Sequence, residues 1–233
     1  MAHSESTGAA SRQQGITGLE TAIILIAFVV VASVFAFTVL STGIFASERS
    51  AETVFGGLES AQSSLEPRGR LVAYNAKVDG GTSTVFKISF IVSSALNGEP
   101  VDLTPAFTAN DSGTDPDAAA SNEQITVISY TDAVQELPDV PWTVSFLGDD
   151  DGDFLLENNE TAEITVWLLN QNNAVGLGTN DAATYMSADG MTSSHTVLGT
   201  NDEFTVQVKP SRGAVVSLKR KLPSQLDTVM NLN

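Results

Sequence analysis

The residues best equipped for chemistry run from Asp149 to Glu160: Asp149-Asp150-Asp151-Gly152-Asp153-Phe154-Leu155-Leu156-Glu157-Asn158-Asn159-Glu160. Oxygen donors at alternating positions around a glycine, with a carboxylate returning several residues later, are what Ca²⁺ needs to collect roughly six to eight oxygen ligands. On this reading Asp149, Asp151 and Asp153, with Glu157 or Glu160, hold the ion and stiffen the loop. It is not an EF-hand, because Phe154 stands where that loop turns on glycine. The second reading is a solvated hairpin loop whose Leu155-Leu156 pair tucks down as an apolar plug. Four aspartates within five residues repel one another unless a cation or salt screens them. Both readings stay open on sequence alone.

Other candidates are weaker. The chain has no cysteine and two histidines, His3 and His195. Ser193-Ser194 precede His195, but a nucleophile and its base assemble in space and not by adjacency. His195 reads as a loop residue, and the chain as a non-enzyme. Gly176-Leu177-Gly178 lacks the preceding strand, third glycine and following helix of a phosphate loop. Two Asn-x-Ser/Thr sequons occur, Asn110-Asp111-Ser112 and Asn159-Glu160-Thr161. Asn110 falls in a polar stretch expected to be exposed and is the favoured glycosylation site. Asn159 shares its ground with the acidic loop.

These loops need a scaffold, and composition bounds it. The chain has 233 residues, 28 acidic and 11 basic, for a net charge of −17. That balance argues against nucleic acid and anionic lipid as partners. Charged residues make up only 17%, with much Gly, Ser, Thr and Asn, as in exported β-rich domains.

The element that organises the rest is Ile16–Phe45. From Thr21 to Ala46 no side chain is charged, enough helix at about 1.5 Å per residue to cross a bilayer. A short polar leader, Ser11-Arg12-Gln13-Gln14-Gly15, precedes it, and Glu20 lies five residues beyond that glycine. Three readings fit: a cleaved secretory signal, a plain anchor, or a helix that starts in lipid and ends in a protein polymer. The run is long for a secretory signal, and a plain anchor leaves Glu20 and the leader unexplained. A cut after Gly15 makes Ile16 a new amino terminus whose ammonium can neutralise Glu20, in one chain or between neighbours. An unpaired charge in an apolar bundle costs several kcal/mol, so such pairing also fixes axial register.

Gln14-Gly15-Ile16-Thr17-Gly18-Leu19-Glu20, followed by Thr21-Ala22-Ile23-Ile24-Leu25-Ile26-Ala27-Phe28-Val29-Val30-Val31-Ala32, resembles the amino terminus of archaellins, the archaeal flagellins related to type IV pilins. The resemblance implies cleavage after Gly15 by a prepilin-type signal peptidase and residence in the cytoplasmic membrane before assembly. It further implies homo-polymerisation into a helical extracellular filament, in contact with the archaellum assembly and motor machinery that rotates it for swimming. An adhesive type IV pilin-like pilus subunit follows the same logic without rotation. A membrane-anchored surface domain binding Ca²⁺ or sugar is the reading of a different class.

The expected fold is α+β: a long amino-terminal hydrophobic helix followed by an antiparallel β-sandwich or partly closed barrel. Residues 1–15 form the leader, 16–66 the filament-core helix and 67–233 the outer β domain. Val54, Leu58, Ala61 and Leu65 place one apolar stripe on the second half of the helix. Gly43 and Gly56-Gly57 mark bends, and Pro67 and Gly69 end the helix. Beyond them the period changes to two. Leu71–Val78 and Thr84–Val92 flank the Asp79-Gly80-Gly81 turn as a hairpin. Further strands are expected at Val101–Leu103, Gln124–Tyr130, Trp142–Leu147, Ala162–Leu169, Glu203–Val208 and Ala214–Lys219. Residues 110–122 read as an exposed polar loop, and 170–200 as long loops with one short strand at most.

Overall fold

The computed structural model describes residues 10–62, 64–95, 99–119, 123–148, 150–186, 190–192 and 196–232, with the side chains of 10–17 and 59–62 set aside. The chain divides into two units, one up to Gly56 and one from Gly57.

The first unit is a helix, Ala10–Gln62, that continues six residues past the boundary. Its middle is built from Ala, Ile, Leu, Val and Phe. Away from water a helix is the one single-segment structure that satisfies every backbone group internally. Its few hydroxyls follow the same rule. Ser33 donates to the Val30 carbonyl at 2.8 Å, Thr38 to the Val34 carbonyl at 3.0 Å and Thr42 to the Thr38 carbonyl at 2.8 Å, so none of the three needs water. Every large apolar side chain from Leu19 to Leu58 is exposed, between 51% and 73%.

Two expectations about this helix change. It begins at Ala10, inside the stretch read as the leader, and stays helical through Gly43 and Gly56-Gly57. It also ends at Gln62 and not at Glu66, and Leu65 already opens a strand. Pro67 is therefore a strand residue, opposite Val92. Among the described residues, only Leu71–Tyr74 of this strand is paired on the other side, with Val229–Leu232. The Leu65–Arg70 portion is thus an edge, where a residue without an N–H is tolerated.

The second unit packs two antiparallel sheets over one core. The larger sheet runs in the order Val229–Leu232, Leu65–Val78, Thr82–Ser94, Thr161–Trp167, Trp142–Leu147. The smaller runs Val216–Lys221, Glu203–Lys209, Val127–Asp132, Glu136–Leu137. The Leu65–Val78/Thr82–Ser94 hairpin turns at Asp79 and Gly80, whose φ angles of 50° and 73° are left-handed, and Gly81 N–H donates to the Val78 carbonyl at 3.2 Å. In the smaller sheet burial alternates along Glu203–Lys209, the sign of one covered face. Thr82–Ser94 is buried almost continuously from Thr84 to Ser93, so both its faces are covered. Phe86, Ile88, Ile164 and Trp142 from the larger sheet meet Ile128, Tyr130, Phe204 and Val206 from the smaller in the same cluster. Tyr130 and Phe204 stack with ring centroids 6.2 Å apart.

Short strands stitch the loops to this core, more of them than sequence patterning suggests. Asn170–Asn172 pairs with Ala183–Thr184 on one side and Thr114–Asp115 on the other, inside two stretches read as loops. Phe107–Thr108 pairs with Asp117–Ala118, and Leu155–Leu156 with Val101–Asp102.

Candidate functional site

Along the helix the single carboxylate within the apolar run, Glu20, is exposed. The Gly15–Ile16 peptide lies inside the helical segment, with the Ile16 side chain outside what the structure describes. The next charges are Glu48, Arg49 and Glu52. Arg49 Nη1 sits 3.6 Å from Glu52 Oε2, and its guanidinium lies over the Phe45 ring at 6.0 Å. The rod is therefore apolar on every side between two polar levels, a surface that suits lipid or copies of itself.

In the acidic loop, Asp149 lies outside the described residues. Carboxylate oxygens of Asp150, Asp151 and Glu160 all come within 4.8 Å of one another. This set contains Asp151 and Glu160 from the expected ligands and adds Asp150. Asp153 and Glu157 do not join it. Asp153 Oδ1 accepts the Leu155 N–H at 2.7 Å, and the Glu157 backbone N–H donates to Glu160 Oε2 at 2.9 Å. Each aspartate caps its own turn: Asp150 Oδ1 accepts from Gly152 N–H at 2.9 Å and Asp151 Oδ1 from Asp153 N–H at 3.3 Å. Glu160 is the buried member, 9% exposed. Asn158 and Asn159 complete the open depression above it, about 360 Å³. Of the expected Leu155-Leu156 plug, Leu156 is fully buried opposite Val101 and Leu155 is half-buried.

The stretch around Asn110 is more ordered than its composition suggests. Asp115 is fully buried. Its carboxylate accepts the backbone N–H groups of Asn110 and Asp111, each at 3.1 Å, and Asn173 Nδ2 at 2.6 Å. Asn110 itself is exposed, donating through Nδ2 to Asp117 Oδ2 at 3.2 Å and accepting the Ser112 N–H at 2.8 Å. Asn159 is exposed with φ of 70°, while the Thr161 hydroxyl of its sequon donates to the Leu147 carbonyl at 3.0 Å.

Sequence reading missed what anchors Asp115. Lys87 interrupts the apolar strand Val85-Phe86-Lys87-Ile88, and the register sets it directly between Tyr74 and Trp167 on the neighbouring strands. Its ammonium lies 4.6 Å from the Trp167 ring, 5.1 Å from Tyr74 and 5.3 Å from Phe86, attracted by their negative faces. Lys87 Nζ donates to Gln171 Oε1 at 2.9 Å, Gln171 Nε2 to Asn173 Oδ1 at 2.6 Å, and Asn173 to Asp115. Two amides thus join a cation to a buried anion. Burial pushes the Lys87 pKa below the ordinary ammonium value, against the opposing pull of Asp111, Asp115 and Glu163. The available signal was a lone lysine flanked by apolar residues on a central strand. Ser193, Ser194 and His195 lie outside the described residues.

A family model for archaeal-type flagellin matches residues 15–220. The chain belongs to the archaeal-type flagellin family. It is 31% identical over 220 residues to probable flagellin 1 of Archaeoglobus fulgidus, spanning 94% of this chain and 95% of that one. Probable flagellin 1 of Aeropyrum pernix is 29% identical over 227 residues, covering 93% and 96%. In fold the chain is similar to a subunit in the solved archaeal flagellum of Methanospirillum hungatei strain JF1, with a TM-score of 0.53 at 22% identity, covering 92% of this chain and 98% of that one. This flagellin is therefore a structural subunit of an archaeal motility filament, and the filament places it outside the cell. The match begins at Gly15, the residue expected to close the leader.

Proposed function

We propose that the flagellin is processed after Gly15 by a prepilin-type signal peptidase. It then waits in the cytoplasmic membrane through its apolar helix and enters the filament by exchanging lipid for neighbouring helices. The observation that carries this is the helix surface, where every large apolar side chain between Leu19 and Leu58 is exposed. Out of water, each contributes about 1.5–3 kcal/mol on packing. Relative to lipid the gain comes from close fit at small residues such as Ala27, Ala32 and Ala36. Glu20 pairs with the new Ile16 ammonium of the same or an adjacent chain and fixes how far subunits slide. The assembly and motor machinery that archaellins use then acts on this polymer.

The test is mass analysis of the amino terminus of surface filaments sheared from cells, beside electron microscopy. A chain starting at Ile16 is expected, and Gly15→Val abolishes both the cut and the filaments. Filaments whose subunits retain Arg12, or normal filaments from Gly15→Val, overturn the processing scheme. The same spectra read Asn110, which we propose carries a glycan on the outer surface.

We also propose that Ca²⁺ binds the acidic hairpin, held by Asp150, Asp151 and Glu160. Three carboxylate oxygens within 4.8 Å of one another support it, since like charges that close are relieved by a cation.

A further inference from the structure

Charge is unevenly spread over the outer domain. Among the 11 basic residues, Lys209, Arg212, Lys219, Arg220 and Lys221 all fall in the hairpin formed by Glu203–Lys209 and Val216–Lys221. Val216–Lys221 closes the smaller sheet: it pairs with Glu203–Lys209 and, among the described residues, with no strand on its other side. Val216 and Leu218 are buried, whereas Lys219 and Lys221 are exposed. Lys219 Nζ lies 2.9 Å from Glu203 Oε2. Lys221 makes no ion pair among the described residues.

The opposite excess occupies the loop between Trp142–Leu147 and Thr161–Trp167. Asp150, Asp151, Asp153 and Glu157 are exposed there, and no lysine or arginine occurs from Gly148 to Glu160. The two regions lie toward different ends of the larger sheet. The acidic loop spans the Leu147–Thr161 end, which pairs on to Ser93. Glu203, opposite Lys221, follows the Leu198 segment, whose carbonyl accepts the Val85 N–H near the other end. The basic strand touches Leu65–Val78, next to one edge. The acidic loop leaves from Trp142–Leu147 at the other edge.

Two unlike, complementary patches on different sides of a subunit favour a heterologous contact, which repeats head to tail and gives an open helical array. An isologous contact through either patch sets like charges face to face. We propose that in the filament the exposed edge of Val216–Lys221 on one subunit docks against the Asp150–Glu160 stretch of a second copy. This rests on the filament reading above and names the outer-domain contact within it. Exposed ion pairs contribute modestly and are screened by salt, so the contact sets partner orientation while the helices hold the polymer together.

The experiment uses sheared filaments of the full chain and their resistance to dissociation as ionic strength rises. Lys219→Glu with Lys221→Glu, and separately Asp153→Lys with Glu157→Lys, are each expected to reduce intact filament about tenfold near physiological salt. Combining all four restores it, because the charges are complementary again. Near-ultraviolet circular dichroism of each detergent-solubilised variant identifies any that fail to fold. Lys221→Glu with Glu157→Lys repeats the swap without the Lys219–Glu203 pair or the Asp153 turn. Swaps that leave filament stability unchanged, or combinations no better than their parents, overturn the contact and leave the filament reading intact. Parent protein that forms no filaments sinks the filament reading instead.

Discussion

Asp115 offers the sharpest test of how the outer domain holds its surface loops. Replacing it with alanine orphans two backbone N–H groups, those of Asn110 and Asp111, and the Asn173 amide, all of which now donate to one buried carboxylate. Hydrogen bonds to a charged group contribute about 1.5–3 kcal/mol each. They act as a unit here, so their simple sum overshoots. Breaking one side of a buried charge network costs about 3–5 kcal/mol, and we expect Asp115→Ala to fall in that window. For a chain of this size that corresponds to a melting temperature roughly 10 °C lower. Asp115→Asn keeps the shape and one acceptor, and loses less. Both tryptophans, Trp142 and Trp167, are buried in the outer domain's core, so tryptophan fluorescence of the detergent-solubilised chain reports that domain's melting without signal from the helix. Hydrogen exchange at the Asn110 and Asp111 amides locates the damage. A double-mutant cycle with Lys87→Met is expected to show coupling of about 0.5–3 kcal/mol through Gln171 and Asn173. An alanine variant that melts with the parent, with both amides equally protected, refutes the network.

Other outcomes follow from single sites. Because burial lowers the folded Lys87 pKa from 10.5, its charge opposes folding while it stays protonated in both states. Raising the pH toward 10.5 relieves that opposition, so denaturant melts should show the parent gaining on Lys87→Met across this window. Gly190→Ala brings a Cβ onto the Met186 sulfur and within 3.1 Å of the Leu168 carbonyl; a loss of about 1–3 kcal/mol by thermal melt is expected. Glu20→Ala should slow incorporation into filaments while leaving the outer domain's melting temperature alone, and equal losses in both contradict the register role. Chelation should lower that melting temperature and Ca²⁺ restore it, an effect lost in Asp150→Asn with Asp151→Asn; indifference to chelator counts against the metal.

The features written in local sequence were legible. An uncharged run ending at Ser47, a glycine turn at Asp79-Gly80-Gly81 and alternation over Glu203–Lys209 each follow from neighbours in the chain. What escaped depends on residues far apart. Pro67 looks like a helix stop because nothing local reveals that Val92 lies opposite it in a sheet edge. The 110–115 stretch looks loose because its order comes from Asn173 and, through two amides, Lys87. Val229–Leu232 carries too little pattern in four residues to announce a strand. The acidic cluster was legible in sequence, but its convergence on Asp150, Asp151 and Glu160 depends on how the loop folds back to bring Glu160 beside the first two, since Asp150, Asp151 and Asp153 all cap their own turns alike.

The pairing of Leu71–Tyr74 with Val229–Leu232 has a consequence for biosynthesis. A ribosome makes the first of these partners early, yet the strand waits for its neighbour until Leu232 has been translated. The larger sheet therefore stays unfinished until Leu232 has emerged, and up to that point the domain is a chain that has not yet locked shut. Late closure of this kind keeps the nascent polypeptide threadable through most of its synthesis.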